Sequence, residues 1–164
     1  MYIPFHDLPA HARIWVFQSV QPFSAEQQSH IVAELQVFLN QWTAHSQTLV
    51  ASAHIFHQHF LVVGLNQDQA QASGCAIDKL MHAVQTIDAQ LNTNLLDRLH
   101  FAYQSPSGVA MATQAEFKQK IALGEITPET LVFNTLIAQK QELDQFQIPL
   151  KNSWHKRFLP KILA

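Results

Sequence analysis

Cysteine chemistry is the first possibility that the sequence offers, because the only cysteine stands at a predicted helix start. Cys75 follows Ser73 and Gly74. A thiol at a helix N-terminus meets backbone N–H groups without intrahelical acceptors and the positive end of the helix dipole, and both favour the thiolate. The same amides can hold an anion. Cys75 is therefore the candidate catalytic nucleophile, and the candidate anion-binding residues are Ser73, Gly74, Cys75 and Asp78.

A structural role is the alternative for Cys75. Free cysteines are often small buried residues, and this one would then pack its helix onto a sheet. No base lies next to Cys75 in the sequence. If the thiol reacts, a histidine must therefore come from elsewhere in the fold.

A group of histidines is the second candidate site, formed by His54, His57 and His59. If residues 56 and 59 pair across a hairpin, His54 and His59 share a face about 7 Å apart, a gap that a bridging metal could span. These two are the candidate metal ligands. A zinc site wants a third protein ligand, and no cysteine or carboxylate lies nearby in the sequence. Exposed hairpin histidines are the alternative, and we expect no cofactor.

The composition limits the classes of partner. The chain has 164 residues, a net charge of −2 and only 13% charged residues, against about 25% in a typical soluble domain. This balance argues against a nucleic-acid partner. The single cysteine fits a reducing compartment, and the sequence has neither a signal-peptide pattern nor an apolar run of membrane-span length. We therefore expect a cytoplasmic protein without an integral membrane segment.

Hydrophobic periodicity and capping residues predict six elements in the first two thirds of the chain. In order they are a strand, a helix, a hairpin of two strands, a helix and a strand, at residues 13–18, 24–45, 48–56, 59–65, 74–91 and 98–103. This β-α-β-β-α-β order is that of a ferredoxin-like sandwich, an antiparallel sheet with two helices on one face. The predicted fold is α+β, with this core at residues 13–103.

The remainder, residues 104–164, is predicted as an α/β extension packed on the core, so that residues 1–164 form a single domain. Its tail combines Trp154, Phe158 and Ile162 with four basic residues, a pattern of membrane-surface or partner-docking segments. The alternative is a tail packed on its own domain. The basic residues are Lys151, Lys156, Arg157 and Lys161.

The sheet face opposite the helices is the predicted interface. With residues 56 and 59 paired, it is too apolar to lie in water, and few charges mean weak repulsion between copies. We therefore expect burial by the extension or by a second subunit, and a homodimer as the leading assembly. The predicted interface residues are Trp15, Phe17, Phe56, Leu61 and Val63. On strand 1, Ile14 and Val16 are the alternative to Trp15 and Phe17.

Four segments carry a family resemblance: Met1–Phe5, Phe38–His45, Ala72–Asp78 and Pro149–His155. In them the chain resembles a family of small uncharacterised bacterial proteins often catalogued as "ABC transporter ATPase". The resemblance implies a transporter-associated role with nucleotide hydrolysis. The P-loop pattern that would cradle phosphates, G-x-x-x-x-G-K-[S/T], is absent, since no glycine precedes a lysine.

A second resemblance covers residues 116–133. The pattern of Phe117, Ile121, Gly124 and Thr127-Pro128 is similar to the helix–turn–strand part of GYF-like modules. The Gly-Tyr-Phe signature is absent, so the resemblance does not imply peptide binding. The same pattern is typical of any capped helix that turns into a strand.

No complete catalytic constellation is recognisable, since Ser-His-Asp, Rossmann and paired-carboxylate patterns are all missing. The sequence therefore favours a soluble, non-enzymatic module that binds a small molecule or a protein and self-associates. A thiol-dependent enzyme that uses Cys75 is the alternative, and a transporter-associated cytoplasmic protein is the third.

Overall fold

The computed structural model describes residues 1–161 of the chain. Two units make up the fold. Unit 1 consists of Met1–Asp97 and Ile137–Gln141, and unit 2 of Arg98–Leu136 and Glu142–Ala164. Helices and antiparallel sheets occur together, so the fold is α+β as predicted. The described residues include no helix that is long and apolar enough to cross a membrane.

Unit 1 contains five strands and two helices after a 3₁₀ turn at Phe5–Asp7. A three-stranded antiparallel sheet has the order β1-β5-β4, and β2 and β3 form a separate small hairpin. The elements are β1 (Arg13–Gln18), α1 (Ala25–Gln41), β2 (Thr43–Ala44), β3 (Gln47–Thr48), β4 (Val50–Phe56), β5 (Phe60–Asn66) and α2 (Gly74–Leu91).

Both helices begin where their capping residues predict. Ser24 and Gln27 form a reciprocal capping box at α1, and the Ser73 hydroxyl accepts the Ala76 N–H at α2. Each cap satisfies backbone N–H groups that a helix start leaves without partners. Asn92 ends α2 in the left-handed region, with φ of 50°. The buried stripes of both helices pack on one face of the sheet.

The hairpin register differs from the prediction by one residue. Phe56 pairs with Phe60, because His57 and Gln58 adopt positive φ values of 49° and 60° and the turn takes in His59 as well. A slip of one residue moves every side chain of a strand to the other face. The pairing of residues 56 and 59 was therefore wrong, and Leu61 rather than Phe60 faces the helices.

The corrected register moves most of the predicted interface into the core of unit 1. Leu61 and Val63 are fully buried in the cluster beneath the helices, and Trp15 and Phe17 lie opposite them on β1. Phe56 alone lies on the other face, half-buried, with its ring 5.7 Å from that of Phe5. The apolar surface that motivated the dimer is thus largely internal.

Segments distant in sequence complete the three-stranded sheet. The N-terminal residues bond along the outer edge of β4, where Ile3 N–H donates to the Ala51 carbonyl at 3.0 Å. The Ile137–Gln141 segment bonds along the outer edge of β1, where Ile14 N–H donates to the Ala138 carbonyl at 2.8 Å. These bonds cover edges that would otherwise be open to pairing.

Unit 2 contains a four-stranded antiparallel sheet of order β7-β6-β8-β9 and one α-helix. Thr113 and Glu116 form the capping box predicted for the helix, and Gly124 follows it with φ of 73°. Short 3₁₀ turns complete the unit. Its elements are β6 (His100–Ser105), β7 (Gly108–Thr113), α3 (Gln114–Ala122), β8 (Leu131–Phe133), β9 (Gln147–Pro149) and 3₁₀ turns at Leu150–Asn152 and Trp154–Phe158. A further 3₁₀ turn, Lys140–Gln145, begins in unit 1 and ends in unit 2.

The strand predicted at residues 98–103 belongs to unit 2 rather than to the first sheet. It forms β6, which pairs with β7 along its whole length and with β8 at Tyr103. A tight hairpin closes with little loss of chain entropy, so β7 is the nearest available neighbour. The unit boundary accordingly lies at Asp97/Arg98 and not after Tyr103. Beside β1, Leu96 makes only one parallel bridge, to Gln18.

Candidate functional site

The β2–β3 hairpin and the start of α2 lie side by side in unit 1. His45 and Ser46 make the hairpin turn with φ values of 50° and 66°. Directly before β2, the buried Trp42 donates its Nε1–H to the Ala76 carbonyl at 2.8 Å. This hydrogen bond ties the residue before the hairpin to the first turn of α2.

A groove of about 440 Å³ lies between these two elements. We call it the α2 groove. Its α2 side contains the predicted residues Ser73, Gly74 and Cys75 together with Lys79, and its hairpin side contains His45. The complete lining is Thr43, Ala44, His45, Ser46, Ser73, Gly74, Cys75, Ala76 and Lys79.

Backbone donors are available in the α2 groove. Within residues 1–161, the amides of Gly74 and Cys75 donate to no acceptor, as is usual for the first turn of a helix. A Cβ at Gly74 would meet nothing within 4 Å, so a ligand can approach this backbone closely. The groove therefore offers N–H donors at the positive end of α2.

The charged side chain that lines the groove is Lys79, one turn beyond Cys75. Asp78, the fourth predicted anion-binding residue, is exposed but does not line it. With no carboxylate among the lining residues, an ammonium and a helix N-terminus give the groove a positive potential. This arrangement can bind a carboxylate or phosphate group.

Cys75 is exposed, so the buried structural role considered for it is wrong. It shares the groove with His45, a histidine that comes from elsewhere in the fold. The sequence could have indicated Lys79, since residues four apart share a helix face. It could not indicate His45, because residues 43–48 were assigned to the end of a helix and the start of a strand.

The two predicted metal ligands lie in different surroundings. His54 is exposed on β4, with its ring 4.7 Å from that of Phe56, and partial burial lowers its pKa. His59 is buried in the turn, and its Nδ1–H donates to the Ser19 carbonyl at 3.0 Å. Among residues 1–161 there is no group of three or more His, Cys, Asp or Glu side chains that could hold a metal ion.

The predicted tail packs on its own unit, which was the alternative considered for it. Leu150 and Leu159 belong to a core cluster with Phe117, and Phe158 packs against that cluster. The cluster also encloses His155, which is 1% exposed and stacks on Trp154 at 3.8 Å. Ile162, the last apolar residue of the predicted tail, lies outside the described residues.

The fold defines an α+β protein with a positively charged groove at a helix start. Comparison with protein-family models, with curated proteins and with solved structures finds no match to this chain. The argument for function therefore rests on the geometry of the α2 groove.

Proposed function

We propose that the protein is a non-enzymatic binding module that takes a small anionic ligand in the α2 groove. The observation that carries this proposal is the convergence of two unbonded amides, at Gly74 and Cys75, with the Lys79 side chain on one groove. The ligand class is a small molecule with a carboxylate or phosphate group.

Three physical features support an anion. Backbone N–H groups at a helix start donate to it, and the helix dipole favours negative charge there. The ammonium of Lys79 adds a full positive charge. A groove of about 440 Å³ also falls within the range of about 300–1,000 Å³ that is common for small-molecule sites.

An NMR titration tests this function. Inorganic phosphate and acetate are added separately to ¹⁵N-labelled protein at low ionic strength. Saturable shifts at the Gly74 and Cys75 amides are expected, with weaker binding in Lys79→Gln. Lys156→Gln removes the same charge from unit 2 and should bind as the wild type does. Absence of saturable shifts at these two amides would contradict the proposal.

A thiol-dependent reaction is the second candidate function. It is favoured by the exposure of Cys75 and by His45 on the same groove, because a neighbouring imidazole can activate a thiol. The rate of iodoacetamide alkylation against pH, compared between wild type and His45→Asn, tests it. A lower rate at neutral pH in His45→Asn supports activation, whereas identical profiles exclude it.

Self-association is a further part of the proposal. Its support is the low charged fraction of 13%, since weakly charged copies repel each other little. Four of the five predicted interface residues pack beneath the helices, so no contact surface is assigned. Native mass spectrometry of the untagged protein tests this point: a dimer mass supports it, and a concentration-independent monomer mass excludes it.

We also propose the finer assignments of fold and location. Unit 1 is a ferredoxin-like arrangement without its fourth strand, supported by the antiparallel order β1-β5-β4 and by α1 between β1 and β4 in the sequence.

A cytoplasmic location is supported by the free Cys75. The relation to the family catalogued as a transporter ATPase rests on its four matching segments. Cell fractionation, with and without membrane washing, tests location and transporter association together.

A further inference from the structure

Two cationic side chains surround one aromatic ring on unit 2. The guanidinium carbon of Arg157 lies 4.8 Å from the centre of the Phe158 ring and 4.8 Å from that of Trp154. The ammonium of Lys118, on α3, lies 5.6 Å from the centre of the same Phe158 ring. We call Lys118, Trp154, Arg157 and Phe158 the cation–ring patch.

No carboxylate of the described residues forms an ion pair with the cations of this patch. In the part of the chain that the structure describes, neither Lys118 nor Arg157 takes part in an ion pair. Both side chains are exposed. Two like charges on one ring raise the local positive potential, which an anionic partner would relieve.

Three carboxylates of unit 2 are already engaged elsewhere. Glu116 accepts the Thr113 N–H at 2.7 Å in the capping box. Glu125 pairs with Lys120 at 2.7 Å, and Glu129 with Lys151 at 2.6 Å. Paired and unpaired cations thus occur among the described residues of the same unit, and the unpaired Lys118 and Arg157 are held on aromatic rings.

The aromatic rings under these cations are fixed by packing. The Phe158 ring lies 5.3 Å from that of Phe101 and 6.1 Å from that of Phe117. Trp154 stacks on the buried His155. A guanidinium held against fixed rings loses less freedom on binding, and its planar fork matches a carboxylate in a bidentate arrangement.

We propose that the cation–ring patch docks an acidic segment of a partner protein, through its Asp or Glu carboxylates. Nucleobases are disfavoured, because cations lie over the Trp154 and Phe158 rings and His155 stacks on Trp154, whereas single-strand binding relies on open ring faces. A lipid surface is disfavoured, because both rings are half-buried and membrane-surface segments insert exposed apolar side chains.

Fluorescence anisotropy with the full-length protein tests the proposal. The probe is a fluorescein-labelled peptide of alternating Glu and Ser, at about 50 mM salt, where exposed charges are weakly screened. The wild type should bind it saturably, and Lys118→Gln/Arg157→Gln should raise the Kd by about fivefold to tenfold. Lys120→Gln/Lys151→Gln is the matched control. It removes the same charge from the same unit, but from cations already paired, and should change the Kd less than about twofold.

A third variant keeps the positive charge at residue 157 but removes the planar guanidinium that would bind a carboxylate in a bidentate arrangement. Arg157→Lys should weaken binding less than the double variant but more than the control, and it guards against a folding defect in the double variant. No binding by the wild type, or equal loss in both double variants, would overturn the proposal. Tighter binding to phosphatidylserine vesicles or to oligo-dT, with the same dependence on Lys118 and Arg157, would also overturn it and reassign the patch.

Discussion

The Ser153 hydroxyl and Nδ1 of His155 lie 2.7 Å apart, and both side chains are buried. Burial disfavours the charged imidazolium, and the nearby Arg157 disfavours it further. Together they lower the pKa of His155 to about 4. The core of unit 2 is therefore built around a neutral histidine.

Acid should destabilise the protein through His155. An unfolded histidine has a pKa of about 6.5, so above this pH neither state carries the proton. As the pH falls from 6.5 to 4, His155 becomes protonated in the unfolded state but stays neutral in the folded state. The free energy of unfolding therefore falls by up to about 3 kcal/mol. Urea unfolding at a series of pH values measures this loss.

Two measurements separate His155 from the other histidines. Stability should depend less on pH in His155→Gln than in the wild type between pH 6.5 and 4. Should that variant fail to fold, the NMR titration of the His155 ring in the wild type gives the same information. A ring that titrates near its ordinary pKa would contradict the prediction.

Two glycines should respond oppositely to alanine. Gly74 has open space at the Cβ position and no positive φ, whereas Gly124 has φ of 73°. Alanine at 74 reduces the freedom of the unfolded chain without strain, so Gly74→Ala should stabilise by a few tenths to about 1 kcal/mol. Gly124→Ala should destabilise by about 1 kcal/mol, since a side chain strains the left-handed conformation. Shifts of the urea denaturation midpoint in the same direction for both variants would contradict this account.

Gly64 should accept an alanine only if the buried side chain of Leu8 shifts. A Cβ at Gly64 would overlap Cδ1 of Leu8, which is itself buried. Gly64→Ala should therefore cost about 1–3 kcal/mol. In a Leu8→Ala background the added methyl group has room, and the same substitution should cost much less. A double-mutant cycle measures this coupling, and additive effects would show that the two positions do not meet.

Trp42→Phe should weaken the attachment of the β2–β3 hairpin to the first turn of α2, and so alter the α2 groove. It removes the hydrogen bond to the Ala76 carbonyl and leaves a void in a fully buried site, at a cost of about 2–4 kcal/mol. The Gly74 and Cys75 amide resonances should shift. Trp15→Phe makes the same chemical change at a half-buried position that keeps the Trp42 hydrogen bond, and it should shift both resonances less. Equal shifts in the two variants would show that the Trp42 bond does not position the groove.

The helices could be predicted because their signals are local. Ser24 with Gln27, and Thr113 with Glu116, specify helix starts within four residues. Ser73 to Cys75 were assigned to a helix start for the same reason. Only the α2 side of the groove they line could be predicted. The hairpin side could not, because His45 lies in a short hairpin whose turn has neither glycine nor asparagine.

The errors arose where pairing depends on turns or on distant segments. His57 and Gln58 adopt positive φ, a conformation that sequence rules reserve for other residue types. The resulting slip placed Leu61 and Val63 on the wrong face. The sheet that β6 joins is decided by competition between β1 and β7, and periodicity within one strand carries no information about its neighbour.

The return of Ile137–Gln141 to unit 1 bears on how the protein is made. During synthesis the N-terminal part of a chain normally folds first. Here the Ile14 N–H and the Ala12 carbonyl find their partners, the Ala138 carbonyl and the Lys140 N–H, only among residues of that late segment. On the ribosome, this part of the outer edge of β1 therefore stays unpaired until the segment that follows Leu136 has been translated. During that interval this edge is open to pairing with another nascent chain.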